Sequence, residues 1–300
     1  TVRAAIGDSV EYVEQREQLG TGHAVLQTKE LLAKERGTIM VLCGDTPLLT
    51  AELLARFHEE HVQSGAKATV LTAIMPNAKG YGRIIRRESG EVLKIVEHKD
   101  ATEEERKIHE VNAGIYCFDA QALFSALAKV TNDNAQGEYY LPDVLGILRD
   151  AGEKIWAVVA DNYESTLGIN SRSQLAVAER ILRRRKVEEL MADGVTIMDP
   201  HTTFIDAEVH VGMDTVIYPF TFLEGVTVIG EDCCIGPHVR FQNTVVGDGV
   251  KAHYVYAHDS DEESGTDLGQ FNHIRPDSHL GAGVKLGNFV EVKNSDIGAG

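Results

Sequence analysis

Cysteine is scarce in this chain. Cys43, Cys117, Cys233 and Cys234 are the only four thiols in 300 residues. They are too few to staple a chain this long and show no metal-ligand spacing, so a disulfide-built scaffold is excluded and a reducing cytoplasm is expected. Basic residues are also in short supply, 29 Lys and Arg against 46 Asp and Glu, a formal charge of −17. That balance argues against a nucleic-acid or anionic-membrane surface, both of which need clustered cations. A phosphorylated ligand must therefore be met by local donors. No apolar run is long enough to cross a bilayer, and Thr1 opens into mixed sequence without a secretory signal, so no membrane insertion is expected. The missing initiator methionine leads to the expectation of a fragment or a processed product.

What the chain does have is a beat of six. Val211, Ile217, Leu223, Ile229, Ile235 and Phe241 fall at that interval, and Thr215, Thr221, Thr227, Cys233 and Val239 keep the same step four places later. The beat resumes at Val246 and Ala252 and returns at Leu268, Ile274, Leu280, Leu286 and Val292. Neither a helix nor an alternating strand has this period. It predicts a parallel β-helix, whose coils bury one another's apolar side. Between His258 and Asp267 the beat lapses, and irregular turns or a loop are expected there. A solenoid is a scaffold, so function has to be argued from sites placed on it.

Residues 1 to about 170 alternate strand-like and helix-like segments, the rhythm of an α/β domain with a largely parallel sheet. Strands are expected at 38–43, 68–74, 111–118 and 155–159, and helices at 24–34, 51–62, 121–129 and 143–150. Ser171 opens a capping box for one long connecting helix, with Leu175, Ala178, Ile181 and Leu182 as its apolar stripe and Gly194 as its stop. The basic run Arg183, Arg184, Arg185 and Lys186 reads as a solvated face of that helix.

Two stretches carry candidate chemistry. Gln18-Leu19-Gly20-Thr21-Gly22-His23 sets glycines and a hydroxyl before a helix, suited to approach a base or phosphate closely or simply to make a tight turn. Leu42-Cys43-Gly44-Asp45 puts a carboxylate at a strand end, where it could hold Mg²⁺ beside phosphates or cap the following turn.

Together with Gly80 to Ile84, Val96 to Asp100, Asn112-Ala113-Gly114, Asn134 to Tyr140, Gly168-Ile169-Asn170 and Asn288 to Lys293, these stretches occur in the order found in a bacterial family that the chain resembles throughout. It is the family of bifunctional N-acetylglucosamine-1-phosphate uridylyltransferase and glucosamine-1-phosphate acetyltransferase enzymes. The resemblance implies a Rossmann-like nucleotidyltransferase domain at 1–170, a linker helix at 171–194 and a left-handed β-helix at 195–300 that forms a homotrimer. It implies Mg²⁺ on Asp45 and Asn170, with Gln15, Gly20 and Thr21 reading uracil. Gly82, Glu97 and Asn112 would contact the sugar, and Arg275 and Lys293 a phosphorylated amino sugar. The substrates implied are UTP, N-acetylglucosamine-1-phosphate, glucosamine-1-phosphate and acetyl-CoA.

The same resemblance puts the family's glycine-rich nucleotide loop before Thr1, and its general-base histidine and acetyl-CoA site beyond Gly300. The chain as given is therefore expected to be impaired in both reactions. Cys43 stands where many members carry Tyr. Two other readings remain open at this point, another sugar-nucleotide pyrophosphorylase with a β-helix tail and a non-catalytic oligomerisation scaffold.

Overall fold

The computed structural model describes residues 2–134 and 136–300; Thr1, and Ala135 within the Asn134–Tyr140 motif, lie outside the described residues. The chain divides into two compact units, Thr1–Ser171 and Arg172–Gly300.

In the first unit a short helix α1 (Val2–Ile6) precedes α2 (Thr21–Leu26) and α3 (Lys29–Leu32), and these lead into a six-stranded sheet. Its strands are β1 (Thr38–Val41), β2 (Ala68–Ile74), β3 (Arg83–Arg86), β4 (Val92–Val96), β5 (Glu110–Asp119) and β6 (Ile155–Val159). The order is β4-β3-β5-β2-β6, with β1 paired to the C-terminal half of β5. Of these pairings, β2 with β6 is parallel and the others are antiparallel. The sheet is thus mixed rather than largely parallel. β3 and β4, which the apolar runs do not mark as strands, form a hairpin through a short turn, a connection that favours antiparallel neighbours, and β5 runs against β1, β2 and β3 as well.

Helices cover both faces because β5 alternates. Ile115 and Cys117 pack with Leu53 and Phe57 of α4 (Ala51–Ser64). Tyr116 and Phe118 pack with Leu123 of α6 (Ala120–Leu127) and Val144 of α7 (Asp143–Asp150); a four-residue α5 (Glu103–Arg106) precedes β5. Each buried aliphatic or aromatic side chain contributes roughly 1.5–3 kcal/mol. α4 is bounded as its sequence dictates: the Thr50 hydroxyl accepts from Leu53 N–H, and Gly65 closes the helix at φ 64°. His61 on α4 is tied to Thr69 on β2 by a buried 2.7 Å hydrogen bond, and burial pushes its pKa down.

The second unit begins with α8 (Arg172–Ala192) and continues as six coils whose short strands stack into three six-stranded parallel sheets. This parallel β-solenoid is consistent with the left-handed hexapeptide β-helix expected. Val216 pairs with Cys234, eighteen residues on, so three hexapeptides make one coil. The inward residues are those of the beat: Ile217, Leu223, Ile229, Ile235 and Phe241 are all buried. The second beat marks the corners, where Thr221 Oγ donates to Tyr218 O (2.8 Å) and Thr227 Oγ to Glu224 O (2.7 Å), satisfying turn carbonyls inside the coil.

Three expectations change here. The stretch between His258 and Asp267 is regular: Ser260–Glu262 is a strand paired on both sides, and the beat lapses because Glu262 takes the inward place that Val246 and Leu280 hold in the adjoining coils. The buried stripe of α8 is Ala178, Ile181, Val187 and Leu190, while Leu175 and Leu182 are exposed. The basic run is not simply solvated. The Arg183 guanidinium lies 4.1 Å from the centre of the Phe204 ring, and Lys186, largely buried, pairs with Glu189 at 2.7 Å. Long apolar stems make Arg and Lys able to cover apolar surface.

Candidate functional site

In the first unit, three strands bring together residues far apart in sequence. Asn112 N–H on β5 donates to Gly82 O, at the start of β3, at 2.9 Å. Glu97 follows β4, and its Oε1 lies 3.1 Å from where a Cβ on Gly82 would sit. Gly82, Glu97 and Asn112 therefore meet at one place, and a side chain at Gly82 would press on the Glu97 carboxylate. Burial, then the charges of Asp100 and Asp143, push the Glu97 pKa up. Beside it is a cavity of about 350 Å³ lined in part by Gly80, Glu97, Lys99, Gln136 and Tyr140.

Asn112 sits at a bulge. Val70 of β2 faces Tyr116 whereas Thr72 faces Asn112, so β5 carries two extra residues there, and Gly114 adopts φ 75°. Bulges of this kind re-aim side chains. Here Asn112 Nδ2 donates to the Tyr116 hydroxyl at 2.8 Å, and its Oδ1 accepts from Gly114 N–H at 2.9 Å. Cys43 Sγ donates to Gly114 O at 3.3 Å.

Asp45 follows β1. Its carbonyl accepts from Ile169 N–H at 2.8 Å, and its Oδ2 lies 3.7 Å from where a Cβ on Gly168 would sit, so the carboxylate is beside the segment that carries Asn170. After burial, the charge of Asp45 is what pushes up the pKa values of Cys43 and Tyr81. A carboxylate paired with an amide oxygen would be a hard set, of the kind that suits a cation completing its shell with phosphate and water. No group of three or more His, Cys, Asp or Glu side chains placed to hold a metal occurs among the described residues.

The glycine-bearing loop is stitched to a second segment. Gly22 N–H donates to Tyr139 O and Tyr139 N–H to Leu19 O, both at 2.8 Å, while Thr21 Oγ accepts from Leu141 N–H at 3.1 Å. Gly20 sits at φ 105° with the Tyr139 carbonyl 2.6 Å from where a Cβ would be, so only glycine fits. Gln15 Nε2 donates to Gly20 O at 3.1 Å. Gln15, Gly20 and Thr21 thus form one assembly, and residues 139–141 link it to the cavity that Tyr140 lines. The two tyrosines belong to a motif legible in the sequence, yet nothing in that motif announced a linking role.

In the solenoid, Arg275 and Lys293 follow strands Asn272–Ile274 and Glu291–Val292, which pair His273 with Glu291 and Ile274 with Val292. They therefore occupy equivalent corner positions on successive coils, about 4.8 Å apart along the stack. Arg275 is engaged by Glu291 at 2.9 Å, and that hydrogen bond is the main reason the Glu291 pKa is lowered. Nearby, His273 stacks on Tyr256 with ring centres 5.0 Å apart.

Comparison with known proteins agrees with this architecture. Residues 3–169 match the nucleotidyl transferase family model. Over its whole length the chain is 52% identical to the bifunctional protein GlmU of Geobacillus sp. (strain WCH70), covering 65% of that protein, and 51% identical to that of Brevibacillus brevis, again covering 65%. It is 49% identical to the GlmU of Exiguobacterium sibiricum, covering 67%. The chain thus spans about two thirds of the length of these relatives, or slightly less. It belongs to the nucleotidyl transferase family, among the bifunctional GlmU proteins.

Proposed function

We propose that this chain serves the synthesis of UDP-N-acetylglucosamine. Its first unit would carry uridylyl transfer from UTP to N-acetylglucosamine-1-phosphate, and its solenoid would take part in acetyl transfer from acetyl-CoA to glucosamine-1-phosphate. The observation that carries the reading is the meeting of Gly82, Glu97 and Asn112 at one cleft, with Asp45 set beside the Asn170 segment. In this reading Glu97 and Asn112 hydrogen-bond sugar hydroxyls, Gly82 admits the sugar close to the backbone, and Gln15, Gly20 and Thr21 read uracil.

Asp45 and Asn170 would hold Mg²⁺, which when bound supplies charge neutralisation for the phosphates. A sugar-phosphate oxygen attacks the α-phosphorus in line and pyrophosphate leaves. The chain's residues hold the two ends in position, and no protein nucleophile is required. Arg275 and Lys293 would grip the phosphate of the amino sugar, Arg through paired N–H bonds and Lys as a point charge.

A column of ring-to-ring contacts through Phe220, His238, Tyr254, Phe271 and Phe289, stacked except for the tilted Tyr254–Phe271 pair, runs down one corner of the solenoid with Phe271 and Phe289 well exposed. It gives a surface that the proposed homotrimer could cover. Four free cysteines suit the proposed cytoplasmic setting, and no helix among the described residues is long and apolar enough to cross a membrane.

Calorimetric titration with UDP-N-acetylglucosamine in Mg²⁺ tests the reading. Binding should occur and should weaken at least tenfold on Asp45→Ala or Asn112→Ala. Preference for a glucose nucleotide would favour a different pyrophosphorylase. Absence of any Mg²⁺-dependent binding would favour a scaffold.

A further inference from the structure

Along an ordinary strand, residues four apart point the same way but stand about 13 Å from each other. Asn112 and Tyr116 are four apart on β5, yet their side chains hydrogen-bond at 2.8 Å. The bulge between them, with Gly114 at φ 75°, makes this contact possible by shortening the path.

The bonding pattern fixes more than a distance. Gly114 N–H points at one end of the Asn112 amide, so that end must be the oxygen, and the Nδ2 end must face Tyr116. With the amide flipped, two donors would oppose each other at Gly114. The Tyr116 hydroxyl therefore accepts. An amide has two N–H groups and two carbonyl lone pairs. One of each is used internally, which leaves one N–H and one lone pair for a ligand.

Tyr116 is buried, packs within the α6/α7 core and stacks on Phe118 with ring centres 5.6 Å apart, so its hydroxyl is held in place. A phenol buried in an apolar core ordinarily needs a polar partner, and Asn112 supplies one. The charge of Glu97 is felt at this hydroxyl, which places the pair beside the proposed sugar contacts.

We propose that Tyr116 is a positioning residue for sugar recognition: its hydroxyl locks the Asn112 amide so that one N–H and one carbonyl lone pair form a fixed donor–acceptor pair for a single hexose hydroxyl. The inference rests on the reading of Asn112 as a sugar contact. It assigns to a buried core tyrosine a share in selecting the sugar.

The test is a mutant cycle on the chain, read by calorimetry with UDP-N-acetylglucosamine and with UDP, which lacks the sugar. Tyr116→Phe should weaken the sugar nucleotide about tenfold and leave UDP unchanged. In an Asn112→Ala background the same change should have no further effect, because there is no amide left to position. Without ligand, the two resolved side-chain amide proton signals of Asn112 should broaden in Tyr116→Phe as the amide gains freedom. If Asn112→Ala weakens binding but Tyr116→Phe does not, or if the two losses simply multiply in the double variant, the positioning role is overturned and the sugar site stands. If Asn112→Ala has no effect on sugar-nucleotide binding, the site reading itself fails and takes the inference with it.

Discussion

Glu262 lies in register with Leu280 on the next coil, a carboxyl in a file of inward aliphatic side chains. Ser260 Oγ donates to one of its oxygens at 3.0 Å, and the other oxygen has no hydrogen-bond partner among the described residues. Burial pushes its pKa up to about 8, from an ordinary 4.5. The neutral acid is thus the form that the fold accepts.

The consequence is a solenoid that weakens progressively as pH rises from about 4.5 to about 8. In the unfolded chain the carboxyl ionises near pH 4.5, whereas folding holds it protonated to about pH 8. The folded state therefore binds the extra proton, and its advantage is complete below pH 4.5 and lost as pH rises through 8. The full difference is roughly 5 kcal/mol at the usual free energy per pKa unit. Glu262→Leu should flatten this dependence and raise the unfolding midpoint at pH 8. Parallel pH profiles of denaturant unfolding for the two proteins would contradict it.

The same residue shows what the sequence could and could not reveal. A period of six is legible because each inward place demands an apolar residue, so most of the solenoid could be read without coordinates. One carboxyl in that file broke the pattern and made a regular coil look like a loop. In the first unit, β5 and β6 were legible as apolar runs, but the β3–β4 hairpin was hidden because its short apolar stretches are interrupted by Arg83, Arg86 and Lys94. Gly82, Glu97 and Asn112 were found through motifs. Their meeting, and the tie between Asn112 and Tyr116, depend on strand pairing and a bulge that no local spacing encodes.

Stacking of the coils should make some glycines far less replaceable than others. A Cβ on Gly212 would sit 2.6 Å from the Gly230 carbonyl carbon of the next coil, and backbone cannot give way. Gly249, at φ 67°, has nothing within 4 Å, so alanine there meets only left-handed strain. Gly249→Ala should cost about 1–2 kcal/mol, and Gly212→Ala clearly more, since the coil spacing itself must open. Equal shifts in their urea midpoints would show that close approach does not govern the coil.

Gly82 offers a local probe of the cleft. A methyl group there would lie 3.1 Å from both Glu97 Oε1 and Ile95 Cγ2. The carboxylate end can yield by rotating, so stability should fall by only about 1 kcal/mol. The rotation removes Glu97 from its place, and affinity for UDP-N-acetylglucosamine should drop about tenfold. Retained affinity would mean that Glu97 does not need this orientation.

Arg275 is the phosphate candidate that already has an anion. Its ion pair with Glu291 is exposed and screened by solvent, so a doubly charged phosphate can displace it at small cost. Glu291→Gln removes the competitor without removing volume, and should tighten glucosamine-1-phosphate binding several-fold at low salt. Arg275→Ala and Lys293→Ala should each weaken it, while leaving UDP-N-acetylglucosamine binding to the first unit unchanged. The sign of the Glu291→Gln effect is decisive. If affinity falls, the carboxylate must be orienting Arg275 for the ligand rather than competing with it, and the corner formed by Arg275 and Lys293 would need its partner intact to bind at all.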